Sequence, residues 1–227
     1  MKRVITALMA ALLVLSLAAC GSGVETKKLA GTWTCTVDVT DRMNAAAEQA
    51  LGLSAADGAA KMPLQLVLTV TEDGAYTLRY DSDAVRTALD AYAAALRPTA
   101  VESVYAAAEE QGLSREEYDA AMEKAGITMD DMVAAIFAGV DEEELLSLLT
   151  GRSAALTGYC RAESGQLYLA DTAADLAETA DCLSYTLSDG TMTWTDAQGE
   201  LSSQLTEQEQ ELLRVPLTWT KRAEESK

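Results

Sequence analysis

Four cysteines, 36 carboxylates and not a single histidine bound the chemistry that these side chains can perform. Without a neutral nitrogen base titrating near pH 7, Ser-His-Asp and Cys-His nucleophile pairs and His-ligated zinc or haem sites are excluded. The thiols are Cys20, Cys35, Cys160 and Cys182. They lack Cys-x-x-Cys spacing, so a thiolate metal site is not expected. The last three allow one disulfide at most, with Cys160 and Cys182 as the candidate pair, and leave one thiol over. Among the acids, Asp141-Glu142-Glu143-Glu144 is the densest run. It lies where a helix should begin, and first-turn carboxylates favour the positive end of the helix dipole. Asp81-Ser82-Asp83 begins like a calcium loop but lacks the third ligand and the glycine at position six. Paired carboxylates could run glycoside hydrolysis, yet no spacing singles out a pair. The expectation is a non-catalytic chain with no cofactor and no metal.

Tyr76, Tyr80, Tyr159, Tyr185, Trp194 and Trp219 could line a cavity, and Tyr76, Tyr80, Tyr185 and Trp194 are the candidate ligand-lining residues. Aromatics on strand faces are more often core. The net charge of -19 over 227 residues repels polyphosphate backbones, so no nucleic-acid partner is expected.

Two periodicities must position these groups. Period two marks eight strands: 31–39, 64–70, 75–80, 156–162, 166–170, 182–187, 191–195 and 215–222. In the first, Trp33, Cys35 and Val37 share one face and Thr32, Thr34 and Thr36 the other. Asp-Gly and Ser-Gly pairs mark the turns. Between strands three and four the period becomes helical. One helix is expected over 82–97, stopping before Pro98. Others follow near 100–111, 115–125, 129–138 and 142–149, with capping boxes at Thr99/Glu102 and Ser114/Glu117 and terminal glycines at 112, 126, 139 and 151. Thr206 with Glu209 caps a further short helix. Met122, Met129 and Met132 with Val133, Ile136 and Phe137 form an apolar surface that packs on neighbours or serves as a soft lid. Eight antiparallel strands closed on themselves leave room for side chains or one small ligand.

Residues 1–19 open with Lys2-Arg3, run apolar from Val4 to Leu17, and lead into Leu17-Ala18-Ala19-Cys20, the pattern of a secretory signal. Leu-Ala-Ala-Cys resembles the lipobox of bacterial lipoproteins, which implies that Cys20 is lipidated and becomes the first residue of the mature chain. The 208 residues that remain carry 15 basic and 36 acidic side chains, a charge of -21 that should hold the domain off an anionic surface. Residues 20–28 then form the lipidated cysteine and a flexible tether with a reach of about 15 Å.

Gly31-Thr32-Trp33 after Leu29-Ala30, and the last strand Pro216-Leu217-Thr218-Trp219-Thr220-Lys221-Arg222, resemble the first and last strands of lipocalin-like β-barrels. Together with the lipobox they are similar to lipocalin-like lipoproteins of Gram-positive bacteria. The resemblance implies an antiparallel eight-stranded lipocalin-like β-barrel over 29–222; the helical period at 82–152 interrupts it as a large insertion outside the basic barrel pattern, giving an α+β fold, and a charged tail follows at 223–227. It further implies that Gly31 and Trp33 close one end of the barrel, with a basic side chain of the last strand across the indole. Arg222 is assigned that place for its flat guanidinium, while period two puts Lys221 on the Trp219 face. The function implied is that of a lipid-anchored protein on the extracytoplasmic face of the cell membrane. Its barrel either binds a small apolar molecule or lipid, or is filled and serves surface interaction or structure. No protein partner is legible.

Overall fold

A computed structural model describes residues 24–53, 61–138, 155–177, 182–198 and 213–223. The signal segment, Cys20, the acidic run at 141–144, the expected helices at 142–149 and after Thr206, Gly139, Gly151 and residues 224–227 of the charged tail lie outside them. Eight strands close into an antiparallel barrel in sequence order: β1 (Gly31–Asp38), β2 (Pro63–Val70), β3 (Ala75–Tyr80), β4 (Leu156–Glu163), β5 (Gln166–Ala170), β6 (Cys182–Ser188), β7 (Thr191–Gln198) and β8 (Leu217–Lys221). Tight turns make this meander local. Ser164 and Gly165 between β4 and β5, and Asp189 and Gly190 between β6 and β7, all adopt positive φ, as a two-residue hairpin loop twisted with its strands demands. The seam pairs Trp33 with Lys221 and Thr34 with Thr220.

The described helices are α1 over 24–29, α2 (Thr40–Leu51), α3 (Ser82–Glu110), α4 (Arg115–Ala125) and α5 (Met129–Phe137). Among the described residues no helix is long and apolar enough to cross a membrane. The chain divides into two compact units. One holds α1, the start of β1, most of β2 and the strands from β3 onward. The other holds residues 36–65 and the described part of 81–153, and so contains α2 to α5.

Within the helical unit, Leu53, Ala100 and Val133 are buried together, with Met129, Ile136 and Phe137 packed against them. The apolar surface of α5 thus finds its cover on neighbouring helices. The Tyr92 hydroxyl donates to Asn44 Oδ1 at 2.7 Å, tying α3 to α2. Asp81 accepts from the Ala84 amide at 3.3 Å and caps α3, which accounts for the acid at the start of the calcium-like sequence. Ser114/Glu117 forms the expected capping box, and Thr128/Asp131 forms another at the start of α5. Gly126 ends α4 in the left-handed conformation.

Two expectations are corrected. First, α3 does not stop before Pro98 but runs through it as one helix. An interior proline costs about 3 kcal/mol; Leu96 before it and Ala100 after it, four positions apart and so on one helix face, are 1% and 0% exposed, and keeping both buried offsets that loss. Thr99 therefore caps nothing, and Glu102 pairs instead with Arg115 at 2.8 Å. Second, residues 24–28 of the expected tether are helical. Thr26 is buried, and its hydroxyl accepts from the Ala162 amide at 3.0 Å. That amide lies on β4 beyond the last β3 residue paired with it, where the ladder offers no partner.

Candidate functional site

The barrel interior is built by alternation. Trp33 pairs with Lys221, so Trp219, two residues earlier on β8, shares the Trp33 face. Met192 pairs with Trp219, and Trp194 with Leu217, which brings β7 onto the same face. All of these except Lys221 are buried, while Thr218 and Thr220 between them are exposed. From β6, Tyr185 pairs with Trp194 across a register shift after Ser184. From β3 and β4, Tyr76 pairs with Gly158. A Cβ on Gly158 would stand 2.9 Å from the Tyr76 ring and 2.5 Å from the Ala170 carbonyl oxygen. The missing side chain is thus the space the tyrosine occupies.

The candidate lining residues are brought together only in part. Trp194 and Tyr185 are buried on neighbouring strands, and Tyr76 is buried over Gly158. Tyr80, paired with Leu66, and Tyr159, paired with Ala75, are half-buried. Tyr159 alternates with the buried Gly158 and Cys160 and so belongs to the outer face of β4. Trp194 and Trp219 form the central feature, their ring centroids 4.8 Å apart and tilted by 48°. Both indole Nε1 atoms are buried and have no hydrogen-bond acceptor among the described residues. A buried donor without a partner costs about 1–3 kcal/mol, and a folded chain retains few of them.

At one end, Trp33 is 1% exposed and its Nε1 donates to the Leu29 carbonyl oxygen at 2.7 Å. Lys221 Nζ lies 5.3 Å from the indole centroid, within cation-π range. The assignment of Arg222 to that place is therefore corrected to Lys221. Arg222 follows at the next position, where its backbone amide donates to the Thr32 carbonyl oxygen at 2.8 Å. The seam register decides this, because directly paired residues in an antiparallel ladder share a face. Gly31 has φ +128°, a conformation that favours glycine, and the Lys221 stem crosses where a Cβ would stand 2.6 Å from its Cε.

Sequence reasoning passed over Glu25. One of its carboxylate oxygens is buried without a hydrogen-bond partner among the described residues. Burial chiefly, then the Glu25 charge and Cys160, raise the Tyr185 phenol above its ordinary value. α1 spans only six residues, 24–29, too few for a helical period to show, so it and its buried groups left no signal.

Cys35, Cys160 and Cys182 are all free and buried. Cys160 lies opposite Leu169, and Cys182 opposite Tyr168, which separates the candidate disulfide pair onto different ladder positions. The Cys182 thiol donates to Gln166 Oε1 at 3.2 Å. Burial pushes the Cys160 thiol up to about 12 and the Cys35 thiol to about 11, the latter partly offset by a hydrogen bond with the Thr218 backbone. Among the described residues no group of three or more acids or thiols is placed to hold a metal ion.

Cys160 and Cys35 make stability depend on alkaline pH. The unfolded chain ionises these two near the ordinary value of 9.0, before the folded chain does. The folded state then holds more protons, so stability falls as pH rises from about 9 toward 12. Melting temperatures measured between about pH 8 and pH 10.5 should decline, and Cys160→Ala should flatten part of that slope. An unchanged slope in the variant would remove Cys160 as its source.

Compared with known proteins, the chain matches no family model, no curated protein and no solved structure.

Proposed function

We propose that this chain is a membrane-anchored extracytoplasmic lipoprotein, fastened through Cys20, whose lipocalin-like barrel binds a small, mainly apolar molecule without catalysing a reaction. Support for the barrel type comes from the sequential closure of eight strands, the Gly31-Thr32-Trp33 opening and the basic side chain over Trp33. The large helical segment between β3 and β4 is, on this reading, an insertion into that barrel. The anchor reading rests on the Leu17-Ala18-Ala19-Cys20 sequence.

The observation that carries the binding reading is the indole pair. The paired apolar rings of Trp194 and Trp219 carry two buried donors that meet no acceptor among the described residues. A ligand with an aliphatic or aromatic body and one carbonyl, carboxyl or ether oxygen matches both properties. A filled barrel serving surface interaction is the second reading. It is favoured by the Tyr76 ring seated over Gly158, and by Met192 and Trp219, both 0% exposed.

Native mass spectrometry of the full chain after mild extraction separates the two. The binding reading expects a co-purifying mass lost on denaturation, and Trp194→Phe, which keeps an aromatic ring but removes the donor, should weaken retention by about tenfold. A mass equal to the lipidated chain alone under several growth conditions would favour the filled barrel.

A further inference from the structure

We propose that the α1 end of the barrel docks on an anionic phospholipid surface through the outward face of α1. The proposal rests on the reading of Cys20 as a lipid anchor and adds to it an orientation and a headgroup charge. Two faces of α1 have different occupants. Thr26 and Leu29 are 6% and 1% exposed; the Thr26 hydroxyl accepts from the Ala162 amide and the Leu29 carbonyl oxygen from the Trp33 indole. Val24, Lys27 and Lys28 stand at i, i+3 and i+4, which is a single helix face. All three are exposed, Val24 at 56%.

An apolar side chain between a lipid attachment point and two lysines is the composition of a helix face at a bilayer interface, where the stem enters and the ammonium meets phosphate. Lys221 and Arg222 are exposed at the same end, Lys221 beside Gly31, two residues beyond α1. Three residues, Gly21 to Gly23, separate Cys20 from Val24, a span of at most about 14 Å over four Cα–Cα steps. The docked helix thereby shortens the leash that a flexible stretch to Lys28 would have provided. A charge of -21 repels an anionic bilayer as a whole, so contact is favourable only where cations cluster.

The test uses the full chain, processed in bacterial membranes and returned to vesicles of phosphatidylcholine with or without phosphatidylglycerol. Amine acetylation is read lysine by lysine in the mass spectrum. Lys27 and Lys28 should each react about fivefold more slowly on the anionic vesicles than on the neutral ones. Lys124, exposed on α4, should react alike on both. The protection should vanish near 1 M salt, where the Debye length is about 3 Å. Lys27→Gln with Lys28→Gln should leave the far-ultraviolet dichroism unchanged and remove the difference between the two vesicles at Lys221. Equal rates at Lys27, Lys28 and Lys124 on both vesicles, with the N-terminal peptide carrying acyl mass, would overturn the docking and leave the anchor standing. An N-terminal peptide without acyl mass would overturn both.

Discussion

Replacing Trp33 by alanine should lower the barrel's unfolding free energy by about 3–5 kcal/mol, the range for truncating a buried large aromatic. Three contributions act together at this residue. The indole is 1% exposed, so its whole apolar surface is lost from the core. The Leu29 carbonyl oxygen loses the donor at 2.7 Å and is left buried beside a cavity. Lys221 loses the ring beneath its ammonium group. Urea unfolding followed by the near-ultraviolet dichroism of Trp194 and Trp219 reports on the barrel without mixing in the helical unit. Lys221→Met isolates the cation and should cost less than about 1 kcal/mol, because an exposed cation-π contact is weak. If Trp33→Ala costs no more than Lys221→Met, the indole does not hold that end together.

Gly74→Ala should be as damaging from the addition of one methyl group. Gly74 has φ +87°, and an ideal Cβ there would stand 2.4 Å from the Cys160 carbonyl oxygen. Forcing an L-residue into that conformation costs about 1–3 kcal/mol. The clash is with backbone, so no side-chain rotation relieves it. The turn must instead shift, stretching the bond from the Cys160 amide to the Gly74 carbonyl oxygen, 2.7 Å, and the one from the Gly74 amide to the Thr71 carbonyl oxygen, 3.0 Å. A total loss of about 3–5 kcal/mol is expected. Gly112→Ala, where φ is +82° and nothing lies within 4 Å of the new atom, carries the conformational cost alone. The difference between the two variants in thermal unfolding measures the clash, and equal effects would show that β3 and β4 yield at no cost.

The strands were legible because their signal is short-ranged. In β1 the Trp33/Cys35 alternation against Thr32/Thr34 reflects one buried and one solvated face, and Ser164-Gly165 and Asp189-Gly190 carry their turn geometry in two residues each. What depended on distant partners was not legible. Pro98 reads as a stop, and only the burial of Leu96 and Ala100 on either side of it keeps α3 continuous. Residues 24–28 read as tether because a turn and a half of helix has no period; Thr26 becomes helical through an amide on β4, 136 positions away in sequence. Of the site, the aromatic set could be read from alternation, but the choice between Lys221 and Arg222 required the seam register. The pairing of Trp194 with Trp219 could likewise not be read before β7 was known to lie beside β8.

That seam has a cost in time. Thr34 and Thr220, whose side chain and carbonyl meet across it, are 186 residues apart, and at about 5–20 residues per second a ribosome needs roughly 10–40 s to deliver the second after the first. For that interval β1 is a strand without its final neighbour, the kind of open edge on which nascent chains stick to one another. Its outward threonines, Thr32, Thr34 and Thr36, keep that waiting edge wettable, which gives the plain polar half of the first strand a task during synthesis that the finished barrel no longer needs.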